Sequence, residues 1–145
     1  MNTIVCNTLN GAVTEYTRHT FQSITPTHAG DATGLFALGG DTDAGLPIVA
    51  NIKLPPTLRE STLKKYLGMV YLSMSGAGFA NLTVFGKTQD WTYPFPLRDS
   101  GQTRCKPGGG IRENYLGFGL TTPQGQAFTL DRVEVLLLES KTRRV

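Results

Sequence analysis

Two cysteines and two histidines are all that 145 residues offer for thiol or imidazole chemistry. Cys6 and Cys105 lie far apart, with neither CxxC nor Cys/His spacing. That excludes a zinc motif or a paired-thiol redox motif and favours two free thiols in a reducing cytosol, with a Cys6 to Cys105 disulfide left open. Nucleophilic catalysis needs a Ser or Cys beside a His and an orienting acid. The chain has no GxSxG elbow, and His19 and His28 read as ordinary surface residues. Long apolar runs are also missing, so no helix of about eighteen residues or more can span a bilayer. The first residues lack the basic and apolar regions of a signal peptide, so synthesis and folding in the cytosol are expected. The net charge is only +3, and its lysines and arginines are scattered. That is no footprint for a sequence-specific nucleic-acid partner.

Apolar stripes of helical period are nearly absent, whereas 17 glycines and 8 prolines punctuate the chain. Many short strands joined by tight turns follow. Residues 1–8 are a strand candidate closed by Asn10-Gly11, with a partner over residues 12–23 that needs a bulge or divides into two strands. Residues 25–32 read as a loop. Residues 34–38 and 47–54 read as the arms of a hairpin across the glycine-rich tip at 39–45, and Pro55-Pro56 ends the second arm. Residues 57–66 form either a helical turn or an exposed loop with its charges in water. Residues 65–74 alternate, with Val70, Leu72 and Met74 on one face and Met69, Tyr71 and Ser73 on the other. After the turn at 75–78 the chain returns over residues 79–86, the clearest central hairpin of the sequence.

Trp91, Tyr93, Phe95 and Leu97 share one side of an extended segment whose two prolines confine it to a sheet edge. A polar loop over residues 99–110 leads to a terminal hairpin. Its first strand sets Leu116, Phe118 and Leu120 against Gly117, Gly119 and Thr121. Its second, over residues 128–138, ends in consecutive apolar residues, as expected where both faces are covered. Leu116, Phe118, Val133 and Val135 are the predicted core. The whole predicts a single all-β domain over residues 1–145, an antiparallel β-sandwich of Ig-like or jelly-roll kind with eight to ten strands. A chain of this length can bury about two-thirds of its unfolded surface without a disulfide or metal.

The candidate chemistry is sparse. Asp41-Thr42-Asp43-Ala44-Gly45 resembles the start of a calcium loop, but the closing Glu position holds Ile52, so a hairpin tip is expected. The glycines at 76–78 and 108–110 lead into no helix and read as turns rather than phosphate loops. Asp31, Asp90 and Glu113 are the carboxylates that a glycosidase reading would bring together. The row Trp91, Tyr93 and Phe95 is either an inner or interface face or, if exposed, a platform for stacking sugar rings or nucleobases. No cofactor and no metal is expected.

Several stretches carry a family resemblance: Gly110-Ile111-Arg112, Tyr115-Leu116-Gly117-Phe118, Gly125, Phe128-Thr129-Leu130-Asp131-Arg132-Val133-Glu134-Val135 and Arg143-Arg144-Val145. The loop at 40–45 and the opening Asn10 to Tyr16 add to it. Together they resemble small structural proteins of the neck and tail of tailed bacteriophage particles. The departure is Asn114-Tyr115-Leu116, where such proteins carry a basic residue and a tryptophan. The resemblance implies a non-enzymatic virion protein, made in the host cytoplasm, forming a homo-oligomer and contacting other tail or neck proteins. Arg98, Arg104, Lys106, Arg112, Arg143 and Arg144 are the residues expected at its interfaces. The alternative is a carbohydrate-binding module recognising a host surface glycan through Trp91, Tyr93 and Phe95.

Overall fold

A computed structural model describes residues 3–16 and 20–140, with only the backbone described at Tyr16. All the regular structure among the described residues is β, and the chain divides into two compact units, Met1–Gly40 and Asp41–Val145.

In the first unit, β1 (Thr3–Cys6) pairs antiparallel with β2 (Val13–Tyr16). Their connection is wider than the two-residue turn suggested by Asn10-Gly11. The N–H groups of Asn7 and Gly11 donate to the carbonyls of Ala12 and Asn7, both at 2.8 Å. Gly11 supplies the positive φ of 72° that closes the loop. The partner expected over residues 12–23 is two short strands, β2 and β3 (Ser23–Ile24), and residues 17–19 between them lie outside the described residues. The reading of residues 25–32 as a loop is corrected. They contain β4 (His28–Asp31), which pairs with β3 and with β5 (Gly34–Ala37). Polar side chains build the turns on either side. Asp31 Oδ1 accepts the N–H of Thr33 at 2.7 Å and of Gly34 at 3.2 Å, and Thr25 Oγ1 accepts the N–H of His28 at 3.0 Å.

The second unit opens with a small hairpin, β6 (Thr42–Asp43) and β7 (Leu46–Pro47), turned by positive φ at Ala44 and Gly45. Then come β8 (Ala50–Thr57), β9 (Lys65–Gly76), β10 (Phe79–Phe85), β11 (Asp90–Pro96), β12 (Gln102–Cys105), β13 (Arg112–Glu113), β14 (Leu116–Thr122) and β15 (Phe128–Glu139). They make two four-stranded antiparallel sheets. One has the order β11-β10-β14-β8. In the other, β15 runs the length of one edge of β9, so β12 and β13 share the opposite edge.

The inner faces match the alternation in the sequence. Val70, Leu72 and Met74 of β9, Leu82 and Val84 of β10, Phe95 of β11, and Leu116, Phe118 and Leu120 of β14 are all buried in one cluster. Val133 and Val135 of β15 pack against it half-buried. Both sheets therefore feed a single core, and burying each such side chain stabilises by about 1.5–3 kcal/mol.

The pairings differ from those the sequence suggested. Residues 34–38 and 47–54 form no hairpin, since β5 pairs with β4 and β8 with β14. Strand β9 does not pair with β10, nor β14 with β15; the turn in each case carries the chain from one sheet to the other. The physical reason is edge occupancy: β10 lies between β11 and β14, and β9 between β15 and the β12/β13 side. Backbone bonds fix the first corner, with Gly76 N–H donating to Arg98 O at 2.9 Å and Leu97 N–H to Gly78 O at 2.8 Å.

Pro55 and Pro56 do not end β8, which runs on to Thr57. The strand is at a sheet edge, where a missing N–H is tolerated. Similarly, the polar loop at 99–110 contains β12, with Thr103 and Cys105 buried. Residues 57–66 hold no helix, and the expectation that their charges lie in water fails at Lys65. This residue is 1 % exposed, and its ammonium donates to the carbonyls of Ser61, Leu63 and Asn114. The close of β15, expected to be covered on both faces, is an edge. Leu136 and Leu138 there are 48 % and 57 % exposed.

Candidate interaction surface

On β9, Val70 and Leu72 point into the core, which sends Met69 and Tyr71 to the opposite face. A register shift against Leu136/Leu137 leaves Gly68 unpaired, and Tyr66 stays exposed. Residues directly opposite across a ladder share a face. The register therefore writes three rows across the outside of this sheet. Arg104, Tyr71 and Glu134 form one, Met69 and Leu136 the next, and Arg112, Tyr66 and Leu138 the third. The Arg104 guanidinium lies 5.7 Å from the Tyr71 ring centroid, and that of Arg112 lies 5.1 Å from the Tyr66 ring. Such stacking restrains both arginines and leaves their remaining donors for another partner. Arg112 Nη2 also donates to Ser140 Oγ at 2.7 Å.

Tyrosine, methionine and arginine are enriched at protein interfaces, and this face carries all three beside the exposed Leu136 and Leu138. Of the arginines expected at interfaces, Arg104 and Arg112 are thus brought onto one face by β9. Arg98 and Lys106 are exposed at the ends of β11 and β12. Arg143 and Arg144 lie outside the described residues. Tyr66, Glu134, Leu136 and Leu138 were not singled out from sequence. The outward phase of β9 was legible there, but its neighbours across the ladder were not.

The aromatic row of β11 faces the core. Phe95 is 3 % exposed, and Trp91 and Tyr93 pack half-buried against the same cluster. Between the two sheets the core leaves a small apolar cavity of about 20 Å³, lined in part by Leu72, Leu82 and Phe118, with room for no organic ligand. Among the carboxylates, Asp31 belongs to the first unit, where the Thr33 hydroxyl and amide hold its carboxyl below the usual range. Asp90 opens β11, and Glu113 on β13 accepts from Thr88 Oγ1 at 3.4 Å. Asp41 and Asp43 belong to the hairpin of β6 and β7. Among the described residues, no three His, Cys, Asp or Glu side chains converge as metal ligands.

Both cysteines are free thiols, Cys6 exposed and Cys105 buried. Burial pushes the Cys105 thiol up to about 11. A folded-state value raised above the unfolded one means stability is intact below the unfolded value near 9 and falls as pH rises towards 11. Cys105→Ala should flatten that part of the stability profile, measured as the urea midpoint between pH 8 and 11 in both proteins. In native protein a thiol reagent should label Cys6 rapidly and Cys105 only on unfolding.

The second unit is defined by two antiparallel sheets on one core and an Arg/Tyr/Leu face outside it, and the first by two small antiparallel sheets. In comparisons with known proteins, no family model, no curated protein and no solved structure matches the chain.

Proposed function

We propose that this chain is a non-enzymatic structural protein that assembles with copies of itself, in keeping with its resemblance to the neck and tail proteins of tailed phages. On this reading the two sheets of the second unit form a β-sandwich that serves as a rigid body. Host-cell synthesis, incorporation into a virion and contacts with other tail or neck proteins belong to the same proposal.

The supporting observation is the state of the first unit. Among its described residues Ala29 is the one buried apolar side chain, while Ile4, Leu9, Val13, Ile24 and Leu35 are 66–96 % exposed. A body of about forty residues needs a disulfide, a metal or an oligomeric contact to be stable. Cys6 is a free thiol, so no disulfide supplies that support, and contact with another chain is the reading that the open apolar side chains favour. Isolated hairpins are marginal in water, and a contact that covers their apolar sides supplies the missing burial.

Native mass measurement of the full chain tests this. Multiples of 15.7 kDa are expected. Leu9→Glu combined with Leu35→Glu should lower the assembly state while leaving the far-UV spectrum of the second unit unchanged, because both side chains are exposed. A wild-type chain that stays monomeric up to millimolar concentration overturns the proposal.

A further inference from the structure

The second unit leaves one long edge open. Strand β15 has twelve residues, pairs with β9 on one side and has no strand on the other among the described residues. The edges of the other sheet are blunted by proline, Pro94 and Pro96 on β11, and Pro55 and Pro56 on β8. The opposite edge of β9 carries only the short β12 and β13. Strand β15 contains no proline and spans about 40 Å. Unpaired N–H and C=O groups along such an edge are a template for another strand.

Charges on an edge ordinarily repel a second strand, and β15 carries Asp131, Arg132 and Glu134 near its middle and Glu139 at its end. Their order matters. Arg132, exposed, and Glu134, half-buried, stand on either side of Val133, and their side chains meet at 2.7 Å. Two antiparallel copies centred on Val133 set each Arg132 opposite a Glu134, so the charges attract instead of repelling.

The bulge supports the same axis. Against β9, Leu130 pairs with Met74 and Arg132 with Ser73, so Asp131 is passed over. Leu130, Val133 and Val135 all pack against the core despite their uneven spacing. If Asp131 is passed over again, Leu130 falls opposite the partner's Val135 and Thr129 opposite the partner's Leu136. Core-side residues then meet core-side residues, and outer residues meet outer ones.

We infer that two copies of this chain pair antiparallel along β15 about a two-fold axis at Val133, with Arg132 of each facing the partner's Glu134. The two sheets join into one, and the Arg104/Tyr71/Glu134 rows of both copies lie on the same outer face. This contact is isologous, so it closes as a dimer and adds no open-ended growth of its own. The inference rests on the self-assembly reading and names the surface that one of its contacts uses.

The test is charge exchange between chains. Arg132→Glu alone places two acidic side chains opposite two more, and Glu134→Arg alone does the same with basic ones. Each should raise the dimer dissociation constant about tenfold, measured by sedimentation equilibrium. An equimolar mixture of the two variants rebuilds both cross-chain pairs and should return to within about threefold of wild type. Within each variant chain the Arg132 to Glu134 pair remains broken, so recovery in the mixture reports the contact between chains. The double exchange R132E/E134R restores both kinds of pair and is the folded control. Wild-type assembly with single variants that assemble equally well overturns the β15 pairing and leaves the self-assembly reading standing. Weakened single variants with no recovery in the mixture also overturn it. A wild-type monomer at all concentrations removes both readings.

Discussion

Lys65→Met should lower the stability of the second unit by about 2–3 kcal/mol, seen as an earlier urea midpoint at unchanged slope. Methionine keeps the length and much of the volume of the lysine stem, so packing at the start of β9 is retained. What disappears is the ammonium, which donates to Leu63 O at 3.0 Å, to Asn114 O at 3.5 Å and to Ser61 O. Each orphaned, partly buried carbonyl costs about 1–3 kcal/mol, offset in part by no longer burying a charge. The ammonium ties the 61–63 loop to the residue that follows β13, so its loss should also speed hydrogen exchange there. Trp91 is the chain's one tryptophan and packs against the core, so its fluorescence reports the transition. An unchanged midpoint would show that water satisfies those carbonyls as well as the lysine does.

Gly117→Val should be at least as costly, about 3 kcal/mol, because it drives a side chain into backbone. A Cβ at this position would lie 2.8 Å from Leu54 O and 2.8 Å from Pro56 N. Neither atom can turn away as a side chain would. The site is the register shift between β14 and β8, where Leu116 faces Thr57 and Phe118 faces Leu54. Valine must push β8 from the sheet or leave the shift unmade, and either exposes Leu116 and Phe118. Gly109→Ala is the control, since a Cβ there has nothing within 4 Å, and it should stay within about 0.5 kcal/mol of wild type. A Gly117→Val midpoint equal to that of Gly109→Ala would show that β8 is not held at this point.

These two positions also separate what was legible from what was not. Gly117 is legible in the sequence as part of a strand, opposite in phase to Leu116 and Phe118. Its close approach to β8 was invisible, because β8 lies some sixty residues earlier in the chain. Lys65 read as the first residue of a strand after a charged stretch, and a lysine there is normally solvated. Its carbonyl partners include one from Asn114, forty-nine residues away. The interaction face shows the same division. The alternation of Met69, Tyr71 and Ser73 against Val70, Leu72 and Met74 was plain, but which arginines stand beside Tyr66 and Tyr71 depends on the register of β12 and β13.

The sequence by itself determined that this chain is all-β, where most of its longer strands run and which side of β9 and of β14 turns inward. Those properties are local, set by a two-residue period and by turn residues that act on their immediate neighbours. Only the tertiary structure decided the partners. Consecutive strands β9 and β10, and again β14 and β15, look like hairpins because short turns join them. Each pair instead divides between two sheets, since a strand has only two edges and those of β9, β10 and β14 are taken by other strands, most of them from distant parts of the chain. The same competition for edges left β15 with one side open, and no local pattern marks a strand as the last in its sheet.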